Sequence, residues 1–198
     1  MARYTGPKRK LERREGTSLF GSNAWEKRPG FPGQHPTSRG RSSEFAIRFR
    51  ERQKVKRMYG LLEKQFKNLV GQALESTGNS GTRLLQLLEL RLDNVVYKLG
   101  YAKTRNQARQ FVTHAHVKVN DKILSIPSYS VKIGDKVEII TKIYDSEPSK
   151  NLRAEVEKIA IPEWLEKSQN SGKVLAVPAR VQLDQSINER LIIEYYSR

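Results

Sequence analysis

The positive charge of this chain is concentrated, and its placement limits how the chain can fold. Residues 1–60 hold 16 lysines and arginines against 5 acids, and residues 82–140 hold 10 against 5. Residues 61–81 carry two of each sign, and residues 141–198 carry nine of each. The whole excess, +16 over 198 residues, therefore lies in the first 60 residues and one middle segment. Like charge at this density opposes compaction and attracts polyanions. With 37% hydrophobic residues, the chain supports one large domain or two small ones, each with a modest core. The asymmetry predicts two contact surfaces, with nucleic acid as the first partner to consider and an anionic membrane as the second.

Several chemistries are excluded early. There is no cysteine, hence no disulfide framework, no thiolate nucleophile and no Cys-based zinc site. His35, His114 and His116 lack the spacing of a helical metal pair. No metal and no cofactor is expected. No apolar run approaches the roughly 18–20 residues that span a bilayer. The first ten residues are charged and lack the apolar core of a signal peptide, and no transit peptide is visible. A soluble, cytoplasmic protein with no membrane partner is the expectation.

Residues 1–43 carry almost no helical or strand periodicity and are punctuated by Arg28-Pro29-Gly30-Phe31-Pro32-Gly33-Gln34-His35-Pro36. Such a stretch cannot bury enough apolar surface to fold alone. It is either a disordered tail or a basic arm that orders on a polyanion. The density of base, with Tyr4, Phe20, Trp25 and Phe31 scattered through it, favours the arm. Arg3, Lys8, Arg13 and Arg14 are its candidate RNA contacts. Gln34 and His35 are candidates too, although a plain turn explains them equally well.

A helix is predicted after Ser42-Ser43, with Glu44 in its first turn. Phe45, Phe49, Val55 and Met58 are expected to face inward, while Arg48, Arg52 and their basic neighbours form a cationic face. A second helix over about 61–76 repeats Leu62, Phe66, Leu69, Val70, Ala73 and Leu74 at core spacing. A third begins near Thr82, and Asp93 is expected to cap a further turn. Thr104-Arg105-Asn106-Gln107 reads as a capping box, opening a helix that buries Ala108, Phe111, Val112 and Ala115. Val117-Lys118-Val119 alternates as a strand, and Asn120-Asp121 predicts a tight hairpin. A strand follows at 137–143. Beyond it come a short helix near 151–159, Trp164-Leu165 packed on the middle module, and a strand near 173–177. Residues 187–196 are too apolar to float free and are expected to dock on earlier elements.

The sharpest feature is the middle module. A cationic, amide-rich helix N-terminus beside a basic hairpin makes a shallow surface that grips phosphates and 2′-hydroxyls by shape. Thr104, Arg105, Asn106, Arg109, Gln110, His114, Lys118 and Asn120 are its candidate contacts. His114 and His116 stand at the helix-to-strand corner, where a solvated or structural role competes with stacking on a base. No Gly-rich phosphate loop, carboxylate pair or Ser/His/Asp arrangement stands out, so no catalytic residue is assigned.

From Leu87-Leu88-Glu89-Leu90-Arg91-Leu92-Asp93-Asn94-Val95-Val96-Tyr97 through Ala108-Arg109-Gln110-Phe111-Val112 to Val119-Asn120, the chain resembles the S-four-type RNA-binding domain. Pseudouridine synthases and bacterial tyrosyl-tRNA synthetases carry that domain as well. Arg91-Leu92-Asp93 is superficially similar to the catalytic Arg-Leu-Asp of the synthases, but it lies in a helical segment and no catalytic domain accompanies it. The flanks extend the likeness. Met1-Ala2-Arg3-Tyr4-Thr5-Gly6-Pro7, Arg13-Arg14-Glu15-Gly16, Pro32-Gly33-Gln34-His35 and Asn188-Glu189 with Glu194-Tyr195-Tyr196-Ser197-Arg198 resemble the bacterial S-four family of small-subunit ribosomal proteins. The likeness covers essentially the whole chain and is weakest over 141–186.

The resemblance implies a primary binder of the small-subunit rRNA 5′ domain that nucleates assembly of the subunit body. It also implies contact with ribosomal protein S-five, a share in translational accuracy, and basic residues near the channel by which mRNA enters. Arg39 and Arg41 fall in that neighbourhood. Many relatives hold zinc with four N-terminal cysteines. None is present here, so RNA and packing must hold the arm. The fold expected is α+β: a basic extended arm over 1–43, and a helical domain over 44–91 completed by 187–198. A small α/β RNA-binding module with its extension is inserted at 92–186, two helices packed on a small twisted sheet. The alternative is a stand-alone RNA-binding or RNA-modifying protein with the same module. A peripheral membrane protein would need a broad apolar helix face, and the helix at 44–57 is too uniformly basic.

Overall fold

The computed structural model describes residues 4–21, 25–28, 30–34, 42–140, 160–168 and 170–197. Seven α-helices and five strands are present among the described residues. The chain forms two compact units, Met1–Leu84 with Gln185–Arg198, and Leu85–Asp184.

The first unit is helical. Its α1 (Lys8–Glu15) corrects the expectation of a wholly extended arm. Apolar periodicity could not announce this helix, because the side chain it buries deepest is Glu12. One Glu12 carboxylate oxygen accepts the backbone N–H groups of Leu19 and Phe20, both at 3.1 Å. Gly16 ends the helix in the left-handed region (φ 67°), where a side chain would be strained, and its N–H reaches Glu12 O at 2.7 Å. Glu15 then ties the helix to α2 (Glu44–Met58), accepting from Arg50 at 3.4 Å and from Arg57. Burial pushes the Glu15 carboxyl up, against the pull of Arg57 and Arg50.

Helix α2 starts where predicted, with the Ser43 hydroxyl accepting from Ala46 N–H at 3.2 Å. Val55 and Met58 are buried, but Phe45 is 62% exposed, contrary to expectation. Its ring packs beside Phe49 and Tyr195 at centroid distances of 6.2 and 5.6 Å. Aromatic rings attract at such separations without full burial. Helix α3 (Glu63–Glu75) buries Phe66, Val70 and Ala73 as expected, whereas Leu62 and Leu74 are exposed because they fall at the ends of the stripe. Asn79 caps α4 (Ser80–Glu89), its side-chain oxygen accepting from Gly81 and Thr82. The last helix, α7 (Glu189–Tyr196), packs along α2 and buries Ile192, as the apolar run at 187–196 required.

The second unit packs α5 (Leu92–Lys98) and α6 (Arg105–Thr113) on an antiparallel sheet. The strands are β1 (Val117–Val119), β2 (Lys122–Ile123), β3 (Lys136–Ile139), β4 (Leu165–Lys167) and β5 (Ser171–Val174). Their order is β2-β1-β3-β5-β4. Val95, Val96 and Leu99 of α5, Ala108 and Val112 of α6, and Val117, Val137, Trp164 and Val174 share one core. Each of these valines and Leu99 contributes about 1.5–3 kcal/mol on burial. The Asn120-Asp121 turn has φ of 49° and 66°, the two left-handed residues of the tight hairpin predicted. Close packing needs Gly172, since a Cβ there would lie 2.4 Å from Leu99 Cδ2. Strand β3 ends at Ile139, short of the predicted 143, of which residues 141–143 lie outside the described residues, and β5 covers 171–174 instead of the predicted 173–177. The helix predicted near 151–159 lies outside the described residues.

Candidate nucleic-acid interface

In the second unit, α6 carries the densest group of predicted contacts. Thr104 is its N-cap, and the hydroxyl accepts from Gln107 N–H at 3.2 Å. The Gln107 side chain reaches back one residue further than a standard box, accepting from Lys103 N–H at 2.9 Å. These bonds fix where the helix begins and so which residues its first turn presents. Asn106 and Gln110 are exposed, while Arg105 and Arg109 are partly buried, one helical turn apart on α6.

Both arginines are held by consecutive residues of α5. Arg105 donates through Nε to Asn94 Oδ1 at 2.8 Å, and its guanidinium lies 4.8 Å from the centre of the Tyr97 ring. Arg109 donates to Asp93 Oδ2 at 3.0 Å. Asp93 is therefore not the N-cap expected of it. Arg91 occupies that position, and Asp93, in the first turn, accepts a two-pronged bond from the Arg91 guanidinium at 3.1 and 2.9 Å. Arg91, Asp93 and Asn94 are all buried. Buried charges are tolerated only when paired and hydrogen-bonded, and this set meets that condition. Motif reading overlooked Glu89, Arg91, Asn94 and Tyr97 as parts of the site. The signal was there: polar residues interrupt the apolar run Leu87–Val96, where only paired ones can be buried.

At the other end of α6, His114 is exposed and its ring lies 5.8 Å from that of His116. Burial and the neighbouring His114 hold the His116 imidazole below its ordinary value. Lys118 sits on β1, paired in register with Glu138 and Ile123. Asn120 is committed to the hairpin: its side chain donates to Asp135 at 2.8 Å and accepts from Lys136 N–H at 2.9 Å.

The first unit places its predicted contacts differently. Lys8 lies 5.4 Å from the Phe20 ring centre and is exposed. Arg13 donates to Gly30 O and Phe31 O, both at 3.1 Å, so it staples the loop to α1. Arg14 lies 5.9 Å from the Phe31 ring, and Gln34 is exposed. Arg48 bonds Glu194 and Glu44, each at 3.0 Å. Arg52 is buried among the rings of Phe49, Tyr195 and Tyr196, at 4.8, 4.5 and 5.8 Å, and pairs with Glu63. Arg48 and Arg52 thus join α2 to α7 and α3 instead of forming a bare cationic face. Arg3, His35, Arg39 and Arg41 lie outside the described residues.

Among the described residues, no group of three or more His, Cys, Asp or Glu could hold a metal ion. No helix among them is long and apolar enough to cross a membrane.

Residues 3–89 match the family model of the ribosomal protein S4/S9 N-terminal domain, and residues 90–137 match the S4 domain. Relatives named small ribosomal subunit protein uS4 align end to end with the chain. That of Hahella chejuensis is 48% identical over 206 residues, and that of Nocardioides sp. 46% over 201. That of Dictyoglomus turgidum is 46% identical over 208 residues, and all three alignments cover 100% of both chains. With two adjoining domain matches and identity near one half along its entire length, the chain belongs to the uS4 family of small-subunit ribosomal proteins.

Proposed function

We propose that this protein is a non-catalytic component of the small ribosomal subunit that binds the 5′ domain of its rRNA and nucleates assembly of the subunit body. The observation that carries the reading is the α5–α6 corner, where two arginines of a capped helix are anchored in fixed positions by Asn94 and Asp93. Fixed cations on a shallow surface suit A-form RNA, whose wide minor groove offers phosphates and 2′-hydroxyls but little sequence. Exposed Asn106 and Gln110 supply polar groups to the same surface. The basic N-terminal segment, with Arg3, Lys8, Arg13 and Arg14, adds a second RNA contact. Following the family resemblance, Arg39 and Arg41 are candidate contacts for incoming mRNA, and ribosomal protein S-five is a neighbour. The same resemblance implies a role in translational accuracy.

The test is binding of the full-length protein to a transcript of the small-subunit rRNA 5′ domain, measured across a salt series. Saturable binding that survives moderate salt, exceeds that of a scrambled structured RNA, and weakens on Arg105→Ala with Arg109→Ala is the expected result. Equal affinity for any RNA, collapsing as salt rises, would leave only non-specific polycation binding.

A further inference from the structure

We infer that Asn94 is a positioning residue for RNA recognition, one that presets the orientation of the Arg105 guanidinium before RNA arrives. The inference rests on the reading above, in which the α6 surface contacts RNA.

The geometry leaves Asn94 a single orientation. Its Nδ2 donates to Glu89 O at 2.9 Å and to Glu89 Oε2 at 2.8 Å. With the amino group held by two acceptors, Oδ1 must face the other way, toward Arg105 Nε at 2.8 Å. Asn94 is 1% exposed and Glu89 3%, so water does not compete for these bonds. Tyr97, one turn along α5 on the same side, supplies its ring face to the guanidinium at 4.8 Å. One edge of Arg105 is therefore bonded and one face is stacked.

An arginine side chain surrenders rotamer freedom when it is fixed on a partner, and that loss weakens binding. Here the ordering is completed by the fold. A planar fork already oriented loses less per bond made to a phosphate. Glu89 is the base of this relay, since it decides which way the Asn94 amide points.

The experiment uses the full-length chain and the same 5′-domain transcript, with affinity and its salt dependence measured for Asn94→Ala, Arg105→Ala and the double variant. Thermal unfolding and near-ultraviolet circular dichroism verify that each is folded at the assay temperature. Arg105→Ala is expected to weaken binding about ten-fold and to lower the salt slope by about one. Asn94→Ala is expected to weaken it about five-fold with the slope retained, because the charge is still present but unoriented. The double variant should match Arg105→Ala alone. Val174→Ala, a core truncation outside the relay, should lower stability and leave affinity unchanged. If Asn94→Ala does not fold, Tyr97→Leu replaces it in the cycle with the same expectation.

Wild-type affinity in Asn94→Ala, or losses that simply multiply in the double variant, would overturn the positioning role while leaving the rRNA reading intact. Wild-type affinity in Arg105→Ala would overturn it too. No preference of the wild-type protein for the transcript over scrambled RNA would instead remove the rRNA reading itself, and the positioning role with it.

Discussion

Asp93 and Arg109, sixteen residues apart in sequence, meet at 3.0 Å through Oδ2 and a terminal guanidinium nitrogen, and the same carboxylate holds Arg91 by two bonds. One buried acid thus joins the start of α5 to the middle of α6. It also connects the core of the second unit to a residue of its candidate RNA surface.

Removing that acid strands the buried Arg91 guanidinium. Asp93→Ala is expected to destabilise the second unit by about 3 kcal/mol, since breaking a buried pair leaves an uncompensated charge. RNA affinity should fall with it, through a loosened Arg109. Denaturant unfolding followed by near-ultraviolet signal gives the first quantity, and a binding series at fixed salt gives the second. Unchanged stability would refute the buried-pair account.

Glu12 does for the N-terminal segment what a longer apolar run would otherwise do. Its carboxylate satisfies two backbone N–H groups, of Leu19 and Phe20, and Leu19 is buried. Glu12→Ala orphans both donors at a cost of about 2 kcal/mol. The expected readout is faster cleavage between Gly16 and Phe31 in limited proteolysis. Cleavage elsewhere should be unaffected. Equal cleavage rates in that segment would count against the role of Glu12.

Acid should loosen the first unit through Glu63. Burial alone would push this carboxyl up, but hydrogen bonds from Lys56 and Tyr196 and the charge of Arg52 outweigh it, holding the group below its ordinary value of 4.5. A carboxyl with a lowered folded value stabilises fully above 4.5 and loses that contribution as pH falls through the folded value. Glu194, held low by Arg190 and Arg48, acts in the same direction. Glu63→Gln should therefore lower stability at neutral pH and flatten the dependence of unfolding free energy on pH below 4.5. A Glu63→Gln curve parallel to that of the wild type would exclude the linkage. The Tyr196 phenol, pushed up to about 12 chiefly by burial, stays protonated throughout and keeps donating to Glu63.

Gly172 tests how tightly the sheet meets α5. An added methyl would lie 2.4 and 2.6 Å from the two terminal carbons of Leu99 and 3.1 Å from Glu166 O. Gly172→Ala is expected to cost about 1–3 kcal/mol by overpacking. Combined with Leu99→Ala, the total loss should be smaller than the sum of the two single losses. Additive losses in equilibrium unfolding would place the strain elsewhere.

Motif reading was most successful where the physics is local. Ser43 and Thr104 cap their helices because a hydroxyl reaches an N–H three residues on, and nothing distant is involved. The Asn120-Asp121 hairpin follows from two residues that tolerate positive φ. The stripe through Phe66, Val70 and Ala73 identifies itself by period. Motif reading failed where polar groups do the work of apolar ones. Helix α1 buries a glutamate, and Arg52, expected on a cationic face, lies among aromatic rings. Within Leu87–Val96, Asp93 and Asn94 read locally as a cap and a family marker, because their partners Arg109 and Arg105 lie on α6.

Charge placement, capping residues, turn residues and apolar period were enough to predict an α+β chain with two basic segments and a capped, cationic helix in the middle module. Each of those signals depends on residues within a few positions of one another. Which cations remain available to RNA is settled by contacts made over long separations. Arg48 meets Glu194 across 146 positions, and Arg57 meets Glu15 across 42. An ion pair needs its partner within a few ångströms, and only folding brings such residues together.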